Sequence, residues 1–285
     1  MALMSGTDVA REISEQTAKR AHEFERRTGR KPCLAAVLVG EDPASVTYVK
    51  MKRNRSAKAG IESRLVQLPA ETTTGELVAE ITRLSQDAGV DGILLQHPVP
   101  GHIDERAAFE AIAPGKDVDG VTMHSFAAMA FSEPGSASAT PGGIMRLLDA
   151  YQVDLKGKHA VVVGRSPILG KPVAMLLLAR DATVTICHSK TENLDEIVRT
   201  ADVVVAAVGR PKFITAVKPG AVVIDAGYNE GNVGDVDFDQ LAETASLITP
   251  VPGGVGPMTI ALLLEQTVSA AARRADLVDV GEVVG

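Results

Sequence analysis

Along almost its whole length the chain alternates amphipathic segments of helical period with short apolar runs, and that alternation excludes most folds. Residues 7–27 read as a helix closed by Gly29, followed by an extended run at 33–39, a helix at 43–59 closed by Gly60, a run at 62–68, a helix at 74–87 and a run at 91–95. A second series begins at 159–163 and continues through helix 170–180, run 183–187, helix 193–200, runs 202–207 and 221–225, and a long helix over 258–274. Such alternation predicts βαβ units and an α/β fold with a mostly parallel sheet, in which ligands bind beyond the carboxyl ends of the strands.

A chain of 285 residues lies near the size at which single cores stop growing, which favours two domains. The Ser, Ala, Pro and Gly-rich stretch Ser132 to Pro141 is the expected boundary. If the final helix packs back on the first series, the domains are 1–138 plus 260–285 and 139–259. The longest apolar runs, Val173 to Ala179 and Ile260 to Leu264, fall short of the roughly 18 to 20 residues that cross a bilayer, so no membrane span is expected. No basic start or apolar core marks a secretory leader, which makes the cytoplasm the expected location. Cys33 and Cys187 sit in apolar runs and read as reduced core thiols. A net charge of −7 argues against nucleic-acid partners. The six histidines show no metal-ligand spacing with one another or with cysteine, and no metal is expected.

The segment Lys158 to Pro172 has the order strand, glycine turn, helix, with Gly164 and Gly170 at the turn. Bare backbone amides at a helix N-terminus suit a nucleotide pyrophosphate, although the spacing departs from G-x-G-x-x-G and taken alone fits an ordinary β-to-α turn equally well. The next strand ends in His188-Ser189-Lys190. NAD-selective folds end it in a carboxylate for the ribose 2′-hydroxyl, whereas Arg165, Ser189 and Lys190 would donate to a 2′-phosphate. NADP is therefore expected over NAD. Two further strand-then-glycine segments, around Val208-Gly209 and Ala226-Gly227-Tyr228, are placed to pass under a nucleotide.

Tyr48 and Lys52 stand four residues apart in a helix expected to start near Pro43, so they share one face. In isolation that pair fits a solvated lysine beside a half-buried tyrosine as well as it fits a site. Gln96 ends an apolar strand just before the prolines Pro98 and Pro100, where a neutral amide can orient an amine without protonating it. Asp117 and Asp119 lie in the tight loop Pro114 to Val121, which alone means a turn. Residues 249 to 259, T-P-V-P-G-G-V-G-P-M-T, form a rigid loop opening onto a helix, a shape suited to close approach by a flat ligand or to tight packing.

Taken in order, Y-V-x-x-K, Q-H-P-V-P, K-D-V-D-G, V-V-V-G-R-S and P-V-P-G-G-V-G-P-M-T make the chain resemble, over nearly its whole length, the bifunctional methylenetetrahydrofolate dehydrogenase/methenyltetrahydrofolate cyclohydrolase family. The resemblance implies an N-terminal α/β catalytic domain that binds folate, a Rossmann-like NADP-binding domain, and an active-site cleft between them. It implies oxidation of 5,10-methylenetetrahydrofolate with NADP and hydrolysis of the methenyl product to 10-formyltetrahydrofolate, within one-carbon metabolism and purine biosynthesis. Lys52 matches the catalytic lysine, Gln96 its hydrogen-bond partner, Tyr48 the tyrosine stacking on the folate, and Asp119 the pterin-binding carboxylate. Pro98, Val99, Pro100, Pro252, Gly253, Gly254 and Pro257 join the implied substrate contacts. Implied cofactor contacts are Thr140, Gly164, Arg165, Ser166, Ile168, Gly170, His188, Ser189, Val208, Gly209, Ala226, Tyr228 and Thr259. A homodimer through the cofactor domains is also implied, with Asn232 to Val236 as a hairpin at the contact. The chain departs from the family's usual Pro-Cys-Thr-Pro at Ser138 to Pro141, from its leucine at His97 and from its isoleucine at Tyr228. The last two departures bear on cofactor affinity and on the ratio of the two activities.

Overall fold

The computed structural model describes residues 2 to 277. In chain order the elements are β1 (Ala2–Leu3), α1 (Gly6–Thr28), β2 (Cys33–Val39), α2 (Pro43–Lys58), β3 (Glu62–Leu68), α3 (Thr74–Gln86), β4 (Gly92–Leu95), α4 (Glu105–Glu110), α5 (Met123–Phe131), α6 (Ala139–Ala150), β5 (His159–Val163), α7 (Gly170–Leu178), β6 (Thr183–Cys187), α8 (Leu194–Val198), β7 (Val203–Ala206), β8 (Val222–Asp225), α9 (Phe238–Leu241), β9 (Leu247–Ile248) and α10 (Val255–Arg274). A single 3₁₀ turn covers Pro114–Lys116. Strands β2, β3, β5 and β6 have the bounds that the apolar runs predict, and Gly29 and Gly60 follow α1 and α2 with φ of 75° and 73°. That left-handed conformation after a helix is where glycine has no steric penalty.

The chain divides into two compact units. One is formed by the N-terminal strand through Arg11, Met129–Glu133 and Ser138–Leu262; the other by Glu12–Ala128, Pro134–Ala137 and the chain from Leu263 onward. The second unit holds a three-stranded parallel sheet in the order β3-β2-β4. Its central strand β2 is buried at all seven positions. Helix α3 is started by a capping box between Thr73 and Glu76, and it buries Leu77, Ile81 and Leu84. Spacing of four and three puts these on one stripe, and removing each from water stabilises the fold by about 2 kcal/mol. Buried Asp91 accepts from both Arg30 guanidinium nitrogens at 2.7 and 2.9 Å and from the Cys33 amide at 2.9 Å, and it also pairs with Arg274. A fully desolvated carboxylate is tolerated only with such a full set of donors. It ties the starts of β2 and β4 to the end of α10.

The first unit holds a six-stranded, all-parallel sheet in the order β1-β9-β8-β7-β5-β6. From β5 the chain steps outward to β6 and then returns to the other side of β5 as β7. The order therefore reverses between β5 and β7, which opens a crevice beyond their carboxyl ends.

Several elements lay outside the sequence reading. Strands β1 and β9 are two residues each, too short to carry a pattern. Helices α4, α5, α6 and α9 fall in segments for which the sequence predicts no element. Helix α6 starts inside the stretch expected to be a boundary, so Ala139 and Pro141 are buried helical residues rather than linker. Pro141 fits a first turn. Gly143 allows close packing, since a Cβ there would lie 3.0 Å from the Met258 Cβ. Helix α10 begins three residues earlier than expected. By length and composition it is apolar enough to cross a membrane, contrary to the reading from the short apolar runs, but 61% of its apolar window is buried inside the protein. Its hydrophobicity serves the cores.

Candidate active site and nucleotide site

Helix α2 starts cleanly because the Asp42 carboxylate accepts from the Ser45 amide at 2.8 Å and Pro43 occupies the first turn. That start fixes the helical phase, placing Tyr48 and Lys52 one turn apart. Lys52 Nζ donates to Gln96 Oε1 at 3.1 Å. Gln96 is itself held twice: its backbone amide donates to Val37 O at 2.9 Å, extending the sheet past β4, and its Nε2 donates to His97 O at 2.9 Å. The second bond leaves the amide oxygen facing the amine, so the amide accepts from Lys52 without supplying a proton. Tyr48 retains 36% of its surface one helical turn from the amine.

Asp119 completes the cluster. Burial lowers the Lys52 pKa below its ordinary 10.5, and the Asp119 carboxylate opposes that shift. Burial likewise raises the Asp119 carboxyl above 3.8, while Lys52 and His97 pull it down and Asp117 pushes it up. Enclosure thus drives both groups toward their neutral forms, and their mutual attraction limits the effect. The loop that carries Asp119 is built by its neighbours. Fully buried Asp117 accepts from the Val121 and Thr122 amides at 3.1 and 2.9 Å and from Ser125 Oγ at 2.6 Å, while its backbone bridges Ile93 of β4. Buried Lys116 donates to Leu84 O and Asp87 O at 3.0 and 2.6 Å, capping the end of α3. Neither role was legible in K-D-V-D-G, where only a turn was read. Val99 is held by Glu105, whose carboxylate accepts its amide at 3.2 Å, and the His97–Pro98 peptide is cis.

In the first unit, β5 and β6 end in register, with Val163 opposite Cys187 and the Gly164 amide donating to Cys187 O at 2.9 Å. Arg165 and Ser189 therefore leave neighbouring strand ends, and both are exposed, as is Lys190. The turn after β5 requires its glycines. A Cβ on Gly164 would lie 2.2 Å from Ala207 O, one on Gly170 2.3 Å from Gly164 O, and Gly164 has φ of 134°. Ser166 Oγ accepts from the Leu169 and Gly170 amides at 3.1 and 3.4 Å, so that hydroxyl organises the start of α7. Thr140 and Thr259, 119 residues apart, share a 2.9 Å hydrogen bond. His188 Nδ1 accepts from the Lys190 amide. Ala226 follows β8, and exposed Tyr228 donates to Asn232 Oδ1. The turn here spans Asn229 to Val233, whereas Val236 bridges Ile214, so the hairpin lies N-terminal to the expected Asn232–Val236. Cys33 and Cys187 are free and buried.

The structure thus gathers Tyr48, Lys52, Gln96, Asp119 and Pro98 to Pro100 in one unit. The other holds the expected nucleotide contacts together with Pro252, Gly253, Gly254 and Pro257. In that loop Gly254 is packed so closely that a Cβ would lie 2.5 Å from Pro250 O, and Gly253 O accepts from the Gly6 and Thr7 amides at the start of α1. Sequence reasoning missed two buried carboxylates, Asp225 at the end of β8, whose signal is a carboxylate closing an apolar strand, and Asp235, which follows Gly234 in a loop.

Residues 4–119 match the family model for the tetrahydrofolate dehydrogenase/cyclohydrolase catalytic domain, and residues 138–275 match its NAD(P)-binding domain. A curated relative, bifunctional protein FolD 1 of Streptomyces avermitilis, is 72% identical over 274 residues, covering 95% of this chain and 96% of its own. The crystal structure of the bifunctional FolD methylenetetrahydrofolate dehydrogenase/cyclohydrolase from Campylobacter jejuni superposes with a TM-score of 0.94 at 42% identity, covering 96% of this chain and 99% of that one. The Trypanosoma brucei dehydrogenase-cyclohydrolase, solved with NADP and an inhibitor, gives 0.92 at 37% identity over 96% and 98% of the two chains. With both of its halves matched and its fold shared throughout, the chain belongs to the tetrahydrofolate dehydrogenase/cyclohydrolase family.

Proposed function

We propose that this chain oxidises 5,10-methylenetetrahydrofolate with NADP and hydrolyses the resulting methenyl cation to 10-formyltetrahydrofolate, with Lys52 as the proton-transfer group. The observation that carries this reading is the Lys52 amine, partly desolvated, bonded at 3.1 Å to a neutral amide and set one helical turn from Tyr48. Oxidation asks mainly for positioning. Tyr48 stacks on the folate and Asp119 binds the pterin, so the second unit orients the substrate. Hydrolysis asks for a base at a cationic centre. An amine whose pKa is lowered by burial can take a proton from attacking water, and Gln96 aims it without neutralising it.

Residues 164 to 170 fit a nucleotide pyrophosphate by their order, a glycine turn between the end of β5 and the N-terminus of α7. NADP when bound there supplies the hydride acceptor. Arg165 and Ser189, leaving adjacent strand ends, hold its 2′-phosphate and select it over NAD. Thr140, Ile168, His188, Ala226, Tyr228 and Thr259 are proposed to line the rest of the cofactor site, and Pro252, Gly253, Gly254 and Pro257 to contact substrate. We also assign residues 1–138 with 260–285 to folate binding and 139–259 to NADP, in a cytoplasmic homodimer serving purine biosynthesis, without nucleic-acid or membrane partners.

The test is a paired assay on the purified protein with methylenetetrahydrofolate, following reduction of NADP and NAD separately and then reconversion of formyl product to the methenyl form with acid. Turnover with NADP and a formyl product support the reading. No reduction of either cofactor in a protein that binds NADP refutes the chemistry.

A further inference from the structure

Asp235 is fully buried and accepts four hydrogen bonds. Its Oδ2 takes the Val208 and Gly209 amides at 2.6 and 2.8 Å, and its Oδ1 takes the Arg210 amide at 2.8 Å and Asn229 Nδ2 at 3.0 Å. Three successive amides converging on one anion form the same kind of concavity that elsewhere binds phosphate. Here the protein's own carboxylate fills it. The surroundings are shaped to that carboxylate, because a Cβ on Gly227 would lie 2.2 Å from the Asp235 Cγ. Asp235 is in turn fixed by a second buried carboxylate, Asp225 at the end of β8. Asp225 accepts the amides of Gly227, Asp235 and Val236 at 3.0, 2.9 and 2.9 Å. Gly234 leaves room for it, since a Cβ there would lie 1.9 Å from Asp225 Oδ2.

The segment so held, Val208 to Arg210, follows β7, on the crevice side opposite the Gly164 turn that follows β5. On the proposed reading of this site as a nucleotide site, we infer that Asp235 is a positioning residue that divides labour between the two loops. By consuming the amides of residues 208–210 and placing a negative charge behind them, it bars the pyrophosphate from that loop. The loop then offers carbonyl oxygens and Cα hydrogens, which suit ribose hydroxyls and the flat ring systems. The phosphates are left to the Gly164–Gly170 turn. Asp235 touches neither substrate nor cofactor and acts only through the backbone it holds.

The test uses the intact chain. Wild-type protein is first titrated with NADP; absence of binding would refute the nucleotide reading itself and the inference with it. Asp235→Asn is then compared by steady-state kinetics. Replacing one acceptor oxygen by a donor turns an N–H toward an N–H, and the expected result is at least a tenfold rise in KM for NADP with kcat at saturating cofactor within threefold. Cyclohydrolase turnover, which runs on Lys52 in the other unit, is the control for folding. An unchanged KM, or a rise matched by equal loss of cyclohydrolase activity, would overturn the inference. Hydrogen exchange on the wild-type protein supplies a readout that no folding failure can remove. The Val208, Gly209 and Arg210 amides should exchange slowly already in the free protein and change less than threefold on NADP addition. Fast exchange that slows strongly with NADP would show that those amides bind the cofactor's phosphates instead, and would overturn it.

Discussion

Gln96→Glu turns the neutral partner of Lys52 into a charged one at nearly the same volume, and its effect follows from one distance. With Nζ and the partner oxygen 3.1 Å apart, a full negative charge attracts the ammonium by about 5 kcal/mol at an effective dielectric of about 20 and by about 1.3 kcal/mol at the dielectric of water. At about 1.4 kcal/mol per pKa unit this raises the Lys52 pKa by about one to four units. The wild-type amine has the opposite bias, because burial lowers its pKa. On the rising limb of the pH profile even the weakest case cuts the neutral amine about tenfold, so cyclohydrolase kcat there should fall at least tenfold and the limb should move to higher pH. Hydride removal needs no base, and dehydrogenase activity should persist. The assay is the pH dependence of both activities from one preparation of wild type and variant. Undiminished hydrolysis, or equal loss of both activities, would refute the assignment of Lys52 as the base steered by Gln96.

Arg165→Ala should raise KM for NADP by about tenfold to a hundredfold, since hydrogen bonds to a charged group contribute about 1.5 to 3 kcal/mol. NAD kinetics should scarcely move, and a parallel loss with both cofactors would remove the 2′-phosphate role. A further outcome concerns stability. Burial raises the Asp225 carboxyl to about 6 from 3.8 against the pull of three amides, so the folded state holds this proton more tightly than the unfolded chain does. Its contribution is therefore full below pH 3.8 and declines as pH rises through 6, with about 1 kcal/mol lost between pH 5 and pH 7. Urea unfolding of wild type and Asp225→Asn at those two pH values should show that difference in their relative stabilities. A pH-independent difference would show that the carboxyl titrates normally.

The parts of the fold legible in the sequence were those with a full pattern. Strand β2, buried at every position, and helix α3, with its capping box and buried stripe, both declare themselves locally. Helix α6 did not, because Thr140-Pro141-Gly142-Gly143 is loop chemistry by composition and becomes helical only where Gly143 can press against Met258. The two-residue strands β1 and β9 exist only as each other's partner and that of β8. At the site, the helical spacing of Tyr48 and Lys52 was readable, and the strand end placed Gln96. What spacing cannot convey is which carboxylate of a pair faces in. Asp117 became a buried clamp and Asp119 the neighbour of Lys52, though both lie in one loop. Asp235 was hidden for the same reason, as three of its four donors come from residues 208–210, far from it in sequence.

The central claim is that one desolvated lysine performs the hydrolytic step, and Lys52→Met tests it most directly. Methionine keeps the length and apolar stem of the side chain while removing the amine. Hydrolysis of the methenyl substrate should become undetectable while folate binding, followed by titration with the reduced substrate, stays measurable. A Lys52→Met protein that hydrolyses the methenyl compound at the wild-type rate would contradict the account.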